Sequence, residues 1–190
     1  SDFDQVELSN LQRQIAHTTK DIGRDKVDSV AERVHLLNPE VKVTAIKHKL
    51  IGAELLAQVQ SVHAVVDTTD NFASRFALNE ACVQAKIPLI SGAVIRMEGQ
   101  ISVFQSGQPD SPCYRCLYLD GTELEQTCSQ NGVLAPVVGI IGSIQATETI
   151  KVLLSIGETL TGRLLLLDAF TMEWRQLKLA KDPRCPVCSQ

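Results

Sequence analysis

The chain has 190 residues, 44% of them apolar and 21% charged, with a net charge of −4. This length and apolar content are sufficient for one substantial core, so we expect a single packed α/β domain. The acidic balance and the lack of a basic cluster argue against binding to nucleic acid or to an anionic membrane surface. The sequence contains no run of about 18 apolar residues and no secretory signal, so we expect a cytoplasmic protein without a membrane span.

Helices and strands alternate through the first half of the chain. Apolar residues recur at helical spacing over residues 25–37, and residues 41–46 then alternate like a strand. A short helix is predicted over residues 52–60. The continuous apolar run over residues 63–68 predicts a strand that is buried on both faces of a parallel sheet.

A helix over residues 72–86 and a buried strand over residues 89–93 continue this alternation, which predicts a doubly wound parallel sheet. Three later segments alternate like antiparallel strands, at residues 100–104, 163–167 and 174–179. Pro136 begins a long helix that we expect to end near Ile156 and to pack on the sheet. The predicted fold is therefore an α/β, Rossmann-like mixed sheet, parallel in its first half and antiparallel in its second.

Four of the six cysteines form two C-x-x-C pairs, Cys113 with Cys116 and Cys185 with Cys188. Two such pairs supply the four thiolates of a tetrahedral zinc site, and a site with every position filled by protein is structural. Roughly seventy residues separate the pairs, so the metal would clip the C-terminal tail onto the domain. A disulfide or a thioredoxin-like redox pair is the alternative, but zinc is favoured in a cytosolic chain.

Asp70 and Asn71 follow the strand predicted over residues 63–68, where open α/β sheets bind their ligands. A single carboxylate there is sufficient to hold Mg²⁺ beside a phosphate group. An N-cap for the next helix is the alternative role, and both roles can coexist. Arg13 and Lys26 are cations that suit phosphate oxygens, although a solvated helix entry is the commoner role of such residues.

Asp2 and Asp4 lie where the pattern suggests the C-terminal end of a strand. A doubly wound nucleotide fold places an acidic side chain there to bind the ribose hydroxyls. Because acidic residues at strand ends are more often turn or cap residues, this position is weak when taken alone.

The two remaining cysteines lie in different surroundings. Cys128 belongs to a polar loop within the long irregular stretch over residues 105–134, and is therefore a candidate thiolate nucleophile. The sequence offers no obvious base to activate it. Cys82 lies in the middle of a predicted helix among apolar residues, and we expect it to be a buried small hydrophobe.

Taken together, these motifs resemble the MoeB/ThiF family, whose members are relatives of the ubiquitin-activating enzymes. The resemblance rests on residues 2–4, 9–14, 67–71, 96–100 and 132–136 and on the two cysteine pairs. It covers essentially the whole chain. It implies a homodimeric enzyme that uses ATP to adenylate the C-terminal glycine of a ubiquitin-like sulfur carrier protein, of the molybdopterin or thiamine type.

The resemblance also implies the roles of individual residues. Asp2 binds the ATP ribose, Asp70 is the magnesium-linked acid, and the paired cysteines hold structural Zn²⁺. The implied catalytic residues are Asp70, Arg13 and Cys128, of which Cys128 matches a position that some members use for a covalent link to the carrier. The implied nucleotide-binding residues are Asp2, Ser9, Asn10, Leu11, Gln12, Arg13, Lys26, Asp70 and Asn71.

One departure from the family concerns the start of the chain. The Gly-rich phosphate loop and first strand of the family precede the position of Asp2, so we expect a domain over residues 1–190 that is truncated at its N-terminus. Two other functions share the expected fold: a nicotinamide-dependent oxidoreductase and a non-catalytic binder of a ubiquitin-like protein.

Overall fold

The structure is a computed structural model and describes residues 1–108, 110–118 and 132–189. The chain divides into two compact units, Ser1–Ile51 and Gly52–Gln190. Each unit has its own set of elements.

The first unit is built around helix α1 (Lys26–Leu37), which confirms the helix predicted there. Two short 3-10 helices, Leu8–Asn10 and Thr19–Asp21, precede it. The chain around Val6, which is only 1% exposed, is fixed by backbone bonds: its amide donates to the Arg24 carbonyl and its carbonyl accepts from the Gly23 amide. Paired backbone groups therefore hold the entry to α1 in place.

Residues 41–46 do not form the predicted strand. Val41 and Val43 remain 47% and 43% exposed, and the Asp2 amide donates to the Ile46 carbonyl at 3.1 Å. Alternating side chains produce a strand only where another strand supplies a hydrogen-bonded ladder. Because this segment has no strand partner among the described residues, the prediction from its pattern was wrong.

The second unit contains most of the regular structure. Its elements are α2 (Gly52–Gln60), β1 (Val65–Asp67), α3 (Phe72–Ala85), β2 (Leu89–Ile95), β3 (Glu98–Phe104), α4 (Tyr114–Leu117), α5 (Ala135–Leu154), β4 (Arg163–Asp168) and β5 (Glu173–Lys178). The strands form one sheet in the order β1-β2-β3-β4-β5. The β1–β2 pair is parallel and the other three pairs are antiparallel. The predicted mixed sheet is thus confirmed.

Helix α5 packs against β2 and β3, as predicted for a packing helix. Its buried positions recur at helical spacing, at Val137, Ile141, Gln145 and Glu148. The approach is close, because a Cβ at Gly99 would lie 2.6 Å from the Ile141 side chain. Within the described chain α5 is the one helix long and apolar enough to cross a membrane, a property it shares with core helices of soluble proteins.

Strand β1 is less buried than its apolar sequence predicts. Val66 is 44% exposed, whereas Asp67 is 1% exposed. Successive residues of a strand point to opposite faces, so one face of β1 is open and the other is sealed. The expected burial on both faces was therefore wrong, and the more buried face carries the charged Asp67 beside the half-buried Val65.

Candidate functional site

The four paired cysteines meet in the second unit. The sulfur atoms of Cys113, Cys116, Cys185 and Cys188 all lie within 4.8 Å of one another. The Sγ atoms of Cys113 and Cys185 are 3.7 Å apart, and those of Cys116 and Cys188 are 3.5 Å apart. Zn–S bonds of about 2.3 Å in a tetrahedron place sulfurs roughly 3.8 Å apart, whereas a disulfide requires about 2.05 Å. The cluster therefore fits zinc and not disulfides.

Polar groups around the four cysteines donate hydrogen bonds to their sulfur atoms. Asn79 of α3 is 1% exposed, and its Nδ2 donates to Cys113 Sγ at 3.6 Å while its Oδ1 accepts from the Tyr114 amide at 2.8 Å. The Asp182 amide donates to Cys116 Sγ at 3.5 Å. Such donors orient thiolates and stabilise their charge. These hydrogen bonds connect α3, α4 and the C-terminal tail at the cysteine cluster.

Burial makes two of the four thiols, those of Cys113 and Cys188, dependent on a cation. It raises the pKa of Cys113, and it raises the pKa of Cys188 to about 11. Both side chains are therefore protonated at neutral pH unless a positive charge lies among them. A bound metal ion supplies that charge and releases the protons.

Asp70 and Asn71 lie beyond the end of β1, at the position predicted for ligand binding. Asn71 Oδ1 accepts from the Ser74 amide at 2.9 Å, so Asn71 is the N-cap of α3. Asp70 is exposed, and its Oδ1 accepts from Asn71 Nδ2 at 3.2 Å. The capping role therefore belongs to Asn71, which leaves the Asp70 carboxylate open to a cation.

A buried charged cluster lies directly behind this turn. Arg75 of α3 is 6% exposed, and its Nη1 donates at 3.2 Å to Asp67 Oδ2, to Ser91 Oγ and to the Gly92 carbonyl. Ser91 Oγ also donates to Asp67 Oδ2 at 3.1 Å. Neither Asp67 nor Arg75 was predicted as a site residue from the sequence. The available signal was an arginine on the inward face of a helix, which is rare unless the charge is paired.

The cations predicted to contact phosphates lie in the first unit. Lys26 Nζ donates to Asp4 Oδ2 at 2.8 Å, and the Lys26 side chain is only 14% exposed. Arg13 Nη1 donates to the Ser9 carbonyl at 3.0 Å. The Asp4 amide donates to Asp2 Oδ1 at 2.9 Å, which is the turn geometry weighed as the alternative for that acid. Each of these side chains thus already has a partner within the unit.

The stretch over residues 9–14 forms a compact polar turn. Asn10 is 6% exposed, and its Oδ1 accepts from the Glu7 amide at 3.1 Å. Ser9 Oγ donates to Glu7 Oε2 at 3.2 Å, while Leu11 is half-buried and Gln12 is exposed. Within the described residues, Gln14 Oε1 is buried without a hydrogen-bond partner. Buried acceptors are rarely left unpaired in native proteins, so this atom fits a polar ligand or water.

Cys82 is 1% exposed, and burial raises the pKa of its thiol to about 12. The prediction of an inert, buried small hydrophobe is confirmed. Cys128 lies outside the described residues, so its role as a candidate nucleophile stays a prediction.

Comparison with known proteins shows a relationship along the chain. The model of the ThiF family matches residues 1–187. The molybdopterin-synthase adenylyltransferase of Escherichia coli strain K12 is 46% identical over 189 residues, which cover 100% of this chain and 76% of that protein. The sulfur carrier protein ThiS adenylyltransferase of the same strain is 43% identical over 188 residues, which cover 99% of this chain and 74% of that protein.

Solved structures agree with the fold. A crystal structure of E. coli MccB with ATP has a TM-score of 0.82 with 21% identity and covers 100% of this chain. The chain spans 58% of the MccB chain, and at this identity the likeness concerns the fold alone. With the family match and the 46% identical relative, the conclusion is that this chain belongs to the ThiF family.

Proposed function

We propose that this protein is an adenylyltransferase that uses ATP to activate the C-terminal glycine of a ubiquitin-like sulfur carrier protein. The names of its relatives support this reaction, since they include adenylyltransferases for molybdopterin synthase and for the carrier ThiS. The observation that carries the proposal is the exposed Asp70 carboxylate, which lies beyond the carboxyl end of β1 in a member of the ThiF family. Family membership favours this reaction over that of a nicotinamide-dependent oxidoreductase.

In the proposed reaction the carrier carboxylate attacks the α-phosphorus of ATP. A bond forms between a carboxylate oxygen and that phosphorus, and the bond to the bridging oxygen breaks, so that a carrier acyl-adenylate forms and pyrophosphate leaves. Such transfers are accelerated mainly by positioning and by neutralising negative charge. We assign this neutralisation to Arg13, to Lys26 and to Mg²⁺ held by Asp70, which screens phosphate charge when bound.

The proposed nucleotide contacts extend the set implied by the family resemblance. Asp2 would bind the ribose, and Ser9, Asn10, Leu11, Gln12, Arg13, Lys26 and Asn71 would line the ATP site. The unpaired Gln14 Oε1 supports a polar ligand beside the stretch over residues 9–14. Lys26 would exchange its contact with Asp4 for a phosphate oxygen, a change of modest cost because the Asp4 side chain is 52% exposed.

Zn²⁺ is proposed as a structural ion on the four cysteines, because all four tetrahedral positions are filled by protein. The reduced thiols this requires favour a cytoplasmic location.

We also propose a homodimer. Apolar residues left exposed near the end of α5 support such a contact, among them Ile150, Leu153 and Leu154. Cys128 is proposed as the residue that links covalently to the carrier in activation of the thiamine type, a link that activation of the molybdopterin type does not require.

The test is carrier-dependent exchange of labelled pyrophosphate into ATP. Replacing Asp70 with Ala should lower the exchange rate by about 100- to 1,000-fold, because the charge of the leaving pyrophosphate loses its counter-ion. Glu80→Ala is the matched control, since it removes an exposed carboxylate from α3, the helix that follows Asp70. Exchange at the normal rate in Asp70→Ala would contradict the role assigned to this carboxylate.

A further inference from the structure

We propose that Arg75 is a positioning residue whose buried guanidinium fixes the turn that carries Asp70, and thereby sets where Mg²⁺ is held. This inference rests on the proposed function, because it concerns the same carboxylate. Arg75 does not contact the metal or the nucleotide in this scheme. It acts through the backbone of residues 67–71.

The Arg75 guanidinium joins several groups of different kinds. Its Nη1 reaches the Asp67 carboxylate, the Ser91 hydroxyl and the Gly92 carbonyl, and its Nη2 donates to the Gly92 carbonyl at 3.2 Å. Nη2 also donates to the carbonyl of Thr69, the residue directly before Asp70. One side chain of α3 thus ties together β1, β2 and the turn.

Thr69 is immobilised through each of its polar groups. Its amide donates to Asp67 Oδ1 at 2.9 Å and its hydroxyl donates to the same atom at 2.7 Å, while its carbonyl accepts from Arg75. On the other side of Asp70, Asn71 is fixed as the N-cap of α3. Asp70 therefore has an exposed side chain on a backbone that is held at both neighbours.

Helix α5 holds the two strands that carry this cluster in place. Gln145 of α5 donates from Nε2 to the Asp67 carbonyl at 2.9 Å and to the Ile90 carbonyl at 3.2 Å. A Cβ at Gly92 would lie 2.4 Å from Gln145 Cδ, so the helix approaches this strand as closely as a glycine allows. Helix α5 therefore holds the backbone of β1 and β2 next to the Asp67 and Gly92 groups that Arg75 contacts.

An arginine at this position is better suited to positioning the turn than to stabilising the fold alone. Burying a charge pair costs desolvation that its attraction roughly offsets, so an Arg–Asp pair is a poor device for stability alone. A guanidinium offers several donors in a rigid plane, which allows one residue to reach a carboxylate, a hydroxyl and two carbonyls. Lysine carries the same positive charge but lacks this rigid, planar set of donors. Arg75→Lys should therefore keep the charge balance and lose the geometry.

The experiment measures pyrophosphate exchange against Mg²⁺ concentration, together with the thermal midpoint, in the wild type and in Arg75→Lys. We expect the Mg²⁺ concentration for half-maximal exchange to rise about tenfold and the maximal rate to fall about 10- to 100-fold, as small misplacements of reacting groups cause. The KM for ATP at saturating Mg²⁺ should change little. Arg163→Lys is the control, because Arg163 also donates to a main-chain carbonyl, that of Thr159, without contacting the turn.

A second variant, Asp67→Asn with Arg75→Gln, removes both charges at once and leaves no buried charge unpaired. It should show the same change in Mg²⁺ dependence. A lower thermal midpoint with unchanged Mg²⁺ dependence would overturn the inference, since it would mean that the cluster only stabilises the fold. Unfolding of both variants would overturn it for the same reason. Absence of exchange in the wild type would instead overturn the proposed function itself.

Discussion

Helix α3 supports two sites of opposite character. At its start, Asp70 is exposed and the residues that hold its turn, Asp67 and Arg75, are buried and charged. Farther along, Asn79 contacts the cysteine cluster, where two of the ligands, Cys113 and Cys185, are themselves buried and the supporting side chain is a neutral amide. An exposed ligand on a fixed turn can exchange what it binds, whereas a closed set of four thiols cannot.

The two sites also differ in what supplies the free energy that stabilises them. In the proposed zinc site the bound metal would supply the stabilising energy, so the protein supports need only orient the sulfurs. The turn has no such source of energy, and the charge of Arg75 must be balanced within the protein by Asp67. Perturbing each set of supports should therefore have different consequences.

The largest expected effect is the loss of the metal. Cys116→Ser removes one of four ligands, and we expect zinc content to fall below one ion per chain with a loss of stability above about 4 kcal/mol. Metal analysis and thermal denaturation measure both quantities. Cys82→Ala is the control, since Cys82 lies outside the cluster. Full zinc content in Cys116→Ser would show that the four thiols do not act as one site.

The next effect concerns the charge balance behind the turn. Asp67→Asn leaves the Arg75 guanidinium buried beside a neutral partner, and it should cost about 3 to 5 kcal/mol in the free energy of unfolding. Adding Arg75→Gln to this variant should recover most of that loss. Denaturant unfolding of the three proteins gives the comparison. If Asp67→Asn alone cost less than about 1 kcal/mol, the pair would not be a buried, mutually dependent one.

The smallest effect concerns the neutral support of the metal. Asn79→Ala removes the donor to Cys113 and the acceptor of the Tyr114 amide, and we expect zinc affinity to fall by about 10- to 100-fold. Competition with a chromogenic chelator measures this change. The Mg²⁺ dependence of exchange should be unaltered. A change in Mg²⁺ dependence without a change in zinc affinity would reverse the division drawn between the two sites on α3.

The elements that local patterns specify were predictable from the sequence. Helix α3 was predicted over residues 72–86 and is observed at Phe72–Ala85, and the change to antiparallel pairing was placed after Gly99. The cysteine pairs were also evident, because their ligand types and spacing are visible without any tertiary information. Asp70 was identified for the same reason, as a polar residue that directly follows an apolar strand.

The supports of these sites were not predictable, because they depend on contacts between distant residues. Gln145 meets Asp67 across 78 positions of sequence, and Asn79 meets Cys113 across 34. Residues 41–46 show the opposite error, since their alternation is genuine but no strand in the described chain pairs with them. Local patterns thus located the ligands, while the packing of α3 and α5 on the sheet determined what holds them.

The most direct test of the account is the mass of the carrier after incubation with this protein, ATP and Mg²⁺. We predict that a ubiquitin-like sulfur carrier gains one adenylyl group on its C-terminal glycine, and that Asp70→Ala slows this gain by about 100- to 1,000-fold. A carrier that remains unmodified by the folded wild-type protein, with molybdopterin-type and thiamine-type carriers both tried, would contradict the proposed adenylation.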